Sequence, residues 1–374
     1  VEETVTPDER YMQQALTLAE LGRGQTTPNP QVGAVIVKGG VVVGQGAHLR
    51  AGTPHAEIHA LRMAKELAKG ATVYVTLEPC SHHGRTPPCA DALIEAGVAR
   101  VVVAVQDPNP LVSGQGILRL QQAGIEVETG VLGEAAKAQN EAFFTWVQKG
   151  RPFVLWKCAA TLDGYIAAKN GDSKYVTGPE SRQAVHELRS QIPAIAVGIE
   201  TVLADDPKLT ARLPRATQDT VKQPLRVVFD SRLRLPEAAA LLREPGQTVI
   251  YTTQFGAKQT EKVRLLKGKG ADVMVLPADD TGRVPIAQAL TNLGERGISS
   301  VLLEGGAQIV ASFLQQKLID KVVYYVAPKV LGDGLHAVSG LNPAAMAQAV
   351  ELQQVRWLQR GDDLVVEAYP KYTE

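Results

Sequence analysis

Four side chains between residues 54 and 89 could do chemistry together. His55, Cys80 and Cys89 are zinc-ligand types, and Glu57 stands two residues after the histidine. Zinc takes imidazole and thiolate readily, and three protein ligands leave a fourth tetrahedral position for water. Bound there, the water's pKa falls from ~15.7 toward about 7, so hydroxide becomes available at neutral pH. A carboxylate that is not itself a ligand then carries protons from the attacking water to a ring nitrogen and a departing amine. One imidazole, two thiols and a neighbouring carboxylate are the parts of a zinc-dependent deaminase.

Taken singly, each part has a plainer explanation. A lone cysteine in a globular chain is usually a small buried hydrophobe. Placement separates these two from that background. Cys80 follows an apolar run at 72–77 and Pro79, while Cys89 follows Pro87-Pro88 and opens the apolar spacing Ala92, Leu93, Ile94, Ala96, closed by Gly97. Proline in a first turn and glycine past the end predict a helix there. A thiol at a helix N-terminus sits in positive potential that favours thiolate. His55 likewise opens a helix read from Ile58, Leu61, Ala64 and Ala68. Two rival metal readings fit less. His55 and His59 are four apart, as in HExxH metalloproteases, yet the glutamate is at the wrong offset and both cysteines go unused. A closed structural zinc would recruit His82 or His83 as fourth ligand, which leaves Glu57 without a role. His59 is read as packed beside the site.

These residues need a scaffold. Asp8 is the expected cap of a first helix whose apolar face includes Met12, Ala15, Leu16 and Ala19. Strands at 31–38 and 41–47 flank a Gly39-Gly40 turn, and further strands at 72–77, 100–105 and 125–129 alternate with helices. That alternation means α/β layers, with the chemistry at strand-to-helix junctions where open sheets place ligands. One helical stretch is expected over 134–149, stopped by Gly150-Arg151-Pro152. The boundary therefore divides the chain into 1–149 and 150–374.

The second half begins again with a strand at 153–158. Thr177-Gly-Pro-Glu180 has capping-box spacing and predicts a helix to about residue 190. Strands are expected at 194–199, 225–230, 248–252, 273–276, 300–303, 322–327 and 364–369. Glu304-Gly305-Gly306 precedes a helix at 307–316. Such a turn can cradle phosphate through free N–H groups, although Gly-Gly alone is more often only a tight turn. The absence of GxGxxG from this half tells against a Rossmann domain. From residues alone it is an α/β domain of unassigned ligand, with Arg189 and Arg212 as solvated charge. On the same terms Asn29 is a turn residue between prolines and His48 a surface imidazole.

At 374 residues the chain exceeds one ordinary core, so two domains are expected. The 39 basic and 39 acidic residues cancel, which argues against nucleic acid as a partner. Three cysteines fit a reducing cytosol better than a disulfide framework, with Cys158 a buried strand residue. The acidic start carries no signal-peptide pattern, the absent initiator Met implies a trimmed or engineered start, and no apolar run approaches the ~20 residues of a membrane span. A cytoplasmic enzyme acting on a small molecule, without membrane contact, is expected.

The spacing of the thiols departs from the Pro-Cys-x-x-Cys of nucleoside deaminases, because eight residues separate Cys80 from Cys89. That loop, Cys-Ser-His-His-Gly-Arg-Thr-Pro-Pro-Cys, resembles the deaminase half of the bifunctional riboflavin-biosynthesis deaminase–reductases. Asn29-Pro-Gln-Val-Gly33 and Gln106-Asp-Pro-Asn-Pro110 are similar to the same family, as are Thr161-Leu-Asp-Gly164, residues 201–207 and Leu303-Glu-Gly-Gly306 in the second half. The resemblance covers nearly the whole chain. It implies a cytidine-deaminase-like N-terminal domain and a dihydrofolate-reductase-like C-terminal domain. The first would use Zn2+ to deaminate a diaminopyrimidinone carrying a phosphoribosylamino group. The second would use NADPH to reduce the ribosyl to a ribityl chain.

By matching motif positions, Asn29, His48, His82 and Arg85 would contact the deaminase substrate; the family often has Lys where Arg85 stands. Ala159, Tyr175 (often Trp in the family), Thr201, Asp205, Ser231 and Gly306 would lie along NADPH. Ser173, Arg189, Leu209, Arg212 and Glu304 would meet the reductase substrate, the two arginines as a pair on its phosphate. Lys157 would stand near the reacting centre; Lys157, Asp205 and water are all open as proton donor. A homo-oligomer, dimer or tetramer, is expected. The rival functions are a single-activity deaminase with a dimerisation or regulatory second half, and a zinc-stabilised binding protein without turnover.

Overall fold

The computed structural model describes residues 5–81, 87–110, 112–213 and 221–372. It divides into two compact units, Val1–Gly150 and Arg151–Glu374.

The first unit runs α1 (Pro7–Ala19), β1 (Gly33–Lys38), β2 (Val41–Ala47), α2 (Ala56–Ala64), β3 (Thr72–Val75), α3 (Cys89–Glu95), β4 (Arg100–Val103), α4 (Gln115–Gln122), β5 (Glu126–Thr129), α5 (Gly133–Gln139) and α6 (Glu141–Lys149). Its sheet has the order β2-β1-β3-β4-β5, with the β2-β1 and β1-β3 pairs antiparallel and the rest parallel. β1, β3 and β4 are short runs of Val, Ile, Ala and Tyr whose central positions are wholly buried, as strands covered on both faces must be. Met12, Ala15, Ala60 and Leu93 close the core from the helices, a fully buried side chain of the Leu class contributing ~1.5–3 kcal/mol.

Two local expectations fail for stated reasons. Thr6, not Asp8, caps α1 through a capping box with Glu9. Asp8 instead accepts from Tyr74 Oη (2.6 Å) and from the fork of Arg100 (2.8 and 3.1 Å). The single helix expected over 134–149 is two, broken at Asn140, whose amide both accepts from Gln31 N–H (2.8 Å) and donates to Gln31 C=O (2.9 Å). That side chain serves the loop before β1 like a strand neighbour.

The second unit contains β6 (Phe153–Thr161), β7 (Tyr165–Ala167), α7 (Pro179–Gln191), β8 (Ala194–Gly198), α8 (Ile199–Asp205), β9 (Leu225–Phe229), β10 (Thr248–Thr253), α9 (Gln254–Ala257), α10 (Thr260–Gly268), β11 (Ala271–Leu276), α11 (Ile286–Glu295), β12 (Ser300–Leu303), α12 (Ala307–Gln315), β13 (Lys321–Ala327), β14 (Leu335–His336), β15 (Glu351–Arg360) and β16 (Asp363–Lys371). Nine strands form one sheet in the order β11-β10-β9-β8-β12-β6-β13-β16-β15. It is parallel from β11 to β13, and β16 and β15 add antiparallel strands. β15 escaped sequence reading because its residues are nearly all exposed and carry no buried period. The capping box expected at Thr177 does not form. Gly178 is the N-cap and its N–H donates to Asp363 at 2.8 Å. Among the described residues no helix is long and apolar enough to cross a membrane.

Candidate functional site

The zinc-type residues of the first unit converge from three element ends. His55 is the N-cap of α2, Cys89 is the first residue of α3, and Cys80 lies in the segment leaving β3. His55 Nδ1 stands 3.2 Å from Cys89 Sγ and 3.7 Å from Cys80 Sγ, and the three ligand atoms all lie within 4.8 Å of one another. Two sulfurs and one imidazole nitrogen so gathered fit zinc with a position left for a fourth ligand.

The electrostatics prepare a thiolate. The Cys80 thiol is lowered to about 4, first by the bond it shares with Cys89, with further lowering from His55 and from the Cys89 N–H, which donates to Cys80 Sγ at 3.3 Å. Cys89 is pushed the other way by the same shared bond, by burial and by Glu57. Glu57 occupies the first turn of α2 and is 3% exposed. Burial, and then the Cys80 charge, raises its carboxyl to about 7. It is not one of the three convergent groups.

His48 is buried, not a surface imidazole. Its Nδ1 faces Pro54 C=O at 3.2 Å and its Nε2 faces Asn29 Nδ2 at 3.2 Å, so Nδ1–H donates and Nε2 accepts. Burial, chiefly, lowers its pKa and keeps that neutral form. Its ring packs edge-on to His55 at 5.3 Å. Asn29 and His48 are thus joined beside the metal-type cluster. His82 and Arg85 lie outside the described residues, as does His83.

Glu78, which sequence reasoning passed over, anchors the segment that carries Cys80. Its carboxylate is 4% exposed and accepts four backbone N–H groups, those of Asp107 (3.1 Å), Gly114 (2.9 Å), Gly116 (2.8 Å) and Ile117 (3.2 Å). Two of them belong to the first turn of α4, where backbone N–H groups have no helical partner. A Cβ on Gly116 would stand 1.9 Å from Pro79 C=O, so only glycine lets α4 meet this segment. The available signal was a lone acid between an apolar run and Pro79-Cys80.

In the second unit, residues far apart in sequence gather along the carboxyl edge of neighbouring strands, the ligand edge of an open α/β sheet. The order β9-β8-β12-β6 puts Ser231 after β9, Thr201 after β8, Glu304 to Gly306 after β12, and Lys157 and Ala159 on β6 in succession. Leu303 pairs with Trp156, so Glu304 and Lys157 stand side by side. Gly306 has φ +54°, and a Cβ on Gly305 would stand 2.8 Å from Thr201 Oγ1, so glycine lets this turn approach α8 closely. Ser231 Oγ accepts from Val284 N–H at 3.0 Å. Asp205 ends α8, exposed, and Leu209 is buried with φ +51°, an uncommon conformation for leucine.

Arg189 and Arg212, expected as a phosphate pair, have different partners. Arg189 is engaged with Glu304, Nε at 2.8 Å and Nη2 at 2.5 Å to its two oxygens, and Nη1 donates to Thr210 C=O at 3.2 Å. Burial is the largest single influence and raises the Glu304 carboxyl, but the Arg189 charge, its hydrogen bonds and the nearby Lys157 together outweigh it and the value is lowered. Arg212 instead reaches His186 and Thr210. Tyr175 is 64% exposed with the Arg182 guanidinium 4.3 Å from its ring centroid, and Ser173 lies in the same loop.

Residues 5–105 match the cytidine and deoxycytidylate deaminase zinc-binding region, and residues 152–366 match the RibD C-terminal domain. The riboflavin biosynthesis protein RibD of Aquifex aeolicus is 44% identical over 96% of this chain and 97% of its own length. The chain belongs to the RibD family. The Escherichia coli RibD is 45% identical over 93% of this chain and 96% of its own length. The Acinetobacter baumannii RibD structure superposes with a TM-score of 0.88 at 41% identity, covering 99% of this chain and 100% of that one. A Thermotoga maritima diaminohydroxyphosphoribosylaminopyrimidine deaminase/5-amino-6-(5-phosphoribosylamino)uracil reductase superposes with a TM-score of 0.82 at 37% identity, over 98% and 99% of the two chains. As a RibD, the chain is a bifunctional deaminase and reductase of riboflavin biosynthesis. Its zinc-binding deaminase region is cytidine-deaminase-like, and its RibD reductase domain uses NADPH.

Proposed function

We propose that this RibD deaminates the diaminopyrimidinone phosphoribosylamine named for the Thermotoga protein, in residues 1–149, and reduces the deaminated product in residues 150–374. The observation that carries the first assignment is the convergence of His55, Cys80 and Cys89 within 4.8 Å, with Glu57 buried beside them and outside the ligand set. The three would hold zinc, which when bound supplies an activated water. Glu57 carries the water's two protons in turn, the first to the ring nitrogen and the second to the leaving amine, so C–NH2 becomes C=O and ammonia departs. Asn29 and His48, joined by their hydrogen bond, offer the remaining Asn29 amide atoms to the pyrimidine. His82 and Arg85 complete that surface by their motif positions.

In the reductase, NADPH supplies the hydride taken up at C1′ of the ring-opened imine. Ala159, Tyr175, Thr201, Asp205, Ser231 and Gly306 would hold it along the carboxyl edge of the sheet. Lys157 holds a proton at Nζ beside Glu304 and is the donor to the imine nitrogen in this reading. Glu304, kept ionised by Arg189, is positioned to accept from substrate hydroxyls, with Ser173, Leu209 and Arg212 around them. The reading includes a homo-oligomer in the cytoplasm.

Glu57→Gln tests it. Deamination should stop while zinc content and the reduction of pre-deaminated substrate persist. Loss of zinc from this variant would make Glu57 a structural residue and overturn the assignment.

A further inference from the structure

The segment before β1 carries Asn29 and is held without a strand ladder. Pro28 and Pro30 have no N–H, so among residues 28–31 only Asn29 and Gln31 can donate from the backbone. Asn29 N–H donates to Thr26 C=O at 2.8 Å and closes a turn. Gln31 N–H donates to a side chain 109 residues further on, Asn140 Oδ1, at 2.8 Å. Asn140 Nδ2 returns a bond to Gln31 C=O at 2.9 Å. A primary amide offers an acceptor and donors on one rigid plane, the pair that a neighbouring strand would present to this backbone.

The α5–α6 junction that carries this amide is itself fixed. Asn140 is 4% exposed, its N–H donates to Lys137 C=O, and its C=O accepts from Phe144 N–H, both at 3.0 Å. The residue before it, Gln139, donates from Nε2 to Leu16 C=O at 2.9 Å and to Glu20 Oε1 at 2.6 Å, which ties the junction to the end of α1. His48 supplies a second support. Its N–H donates to Val32 C=O at 2.8 Å, and its Nε2 accepts from Asn29 Nδ2 at 3.2 Å. That bond uses one hydrogen of the Asn29 amide. The direction of the other N–H and of Oδ1 is then set by the backbone running from Thr26 to Gln31.

We infer that Asn140 is a positioning residue for the deamination: its amide clamps Gln31 and thereby aims the free Asn29 amide atoms at the pyrimidine. This rests on the reading that Asn29 contacts the pyrimidine, and extends the deaminase machinery to the last two helices of the first unit. His55 and Cys89 are set by the starts of α2 and α3, so loss of the clamp weakens substrate binding without releasing the metal.

Asn140→Ala is compared with Asn29→Ala and with the double variant in the zinc-loaded full chain, reading deaminase KM, kcat and zinc content. Asn29→Ala removes a directed substrate contact and should raise KM about 10- to 100-fold. Asn140→Ala should raise KM about 10-fold, with kcat within about threefold and zinc content unchanged. The retained zinc also shows that the first unit is folded. Because Asn140 acts through Asn29, the double variant should lie within about twofold of Asn29→Ala alone. If the two penalties multiply instead, Asn140 acts by another route and the inference fails. If Asn29→Ala raises KM and Asn140→Ala does not, the inference fails while the Asn29 reading stands. If Asn29→Ala leaves KM unmoved, the Asn29 reading fails and takes this inference with it. Should Asn140→Ala lose its zinc by misfolding, Asn140→Asp takes its place, since it keeps the volume and the bond from Gln31 N–H but loses the donor to Gln31 C=O. That variant should raise KM at least about threefold with zinc retained; a wild-type KM would overturn the proposal.

Discussion

Replacing Glu78 by Gln changes one atom and should disturb the whole segment that carries Cys80. The carboxylate accepts from Asp107 and Gly114 through Oε2 and from Gly116 and Ile117 through Oε1, at 2.8–3.2 Å. A glutamine can keep the two bonds made to its oxygen. Its NH2 group must then face the other two N–H donors, which lose their acceptor inside a site only 4% exposed. Each stranded buried donor costs ~1–3 kcal/mol, so two cost ~2–6 kcal/mol, and the remaining pair weakens because the acceptor is no longer charged. Taking ~3 kcal/mol as the local loss, the opening equilibrium at the start of α4 rises roughly 150-fold. Native-state hydrogen exchange at Gly114, Gly116 and Ile117 should accelerate by about that factor, with β1 and β3 little changed. Zinc content after dialysis should fall in parallel, since supporting residues of metal sites typically contribute about 10- to 100-fold in affinity. Unaltered exchange at those three amides, with full zinc retention, would refute the reasoning. Glu78 would then merely fill space.

Two further expectations concern ion pairs. Arg189→Met leaves the Glu304 side chain, 6% exposed, without its partner, and the second unit should lose about 3–5 kcal/mol in urea titration; an unchanged midpoint would mean the pair is dispensable. Asp8 sits below its ordinary pKa chiefly through its hydrogen bond to Arg100. A depressed carboxylate stabilises above its unfolded value and loses that contribution as pH falls through the folded one. Asp8→Asn should therefore cost about 1–2 kcal/mol near pH 7, discounted for partial exposure, with the gap to wild type closing below about pH 4. A gap that does not depend on pH would sink this account.

The zinc-type cluster of His55, Cys80 and Cys89 was legible in the chain itself because its signals are local. A proline before Cys89, an apolar period after it, and a glutamate two residues beyond His55 speak of helix ends and chemistry without reference to distant contacts. The α/β class was legible for the same reason, since strand and helix periods are properties of short windows. Long-range pairing decided the rest. Asn140 breaks a helix because Gln31 needs two hydrogen bonds, and Asp8 leaves the cap to Thr6 because Arg100 and Tyr74 reach it. β15 is a strand only because β16 lies beside it. Arg189 and Arg212 look alike along the chain, yet Glu304 claims one fork while the other meets His186 and Thr210. A charge's function depends on which opposite charge the fold brings within about 3 Å, and the sequence does not contain that distance.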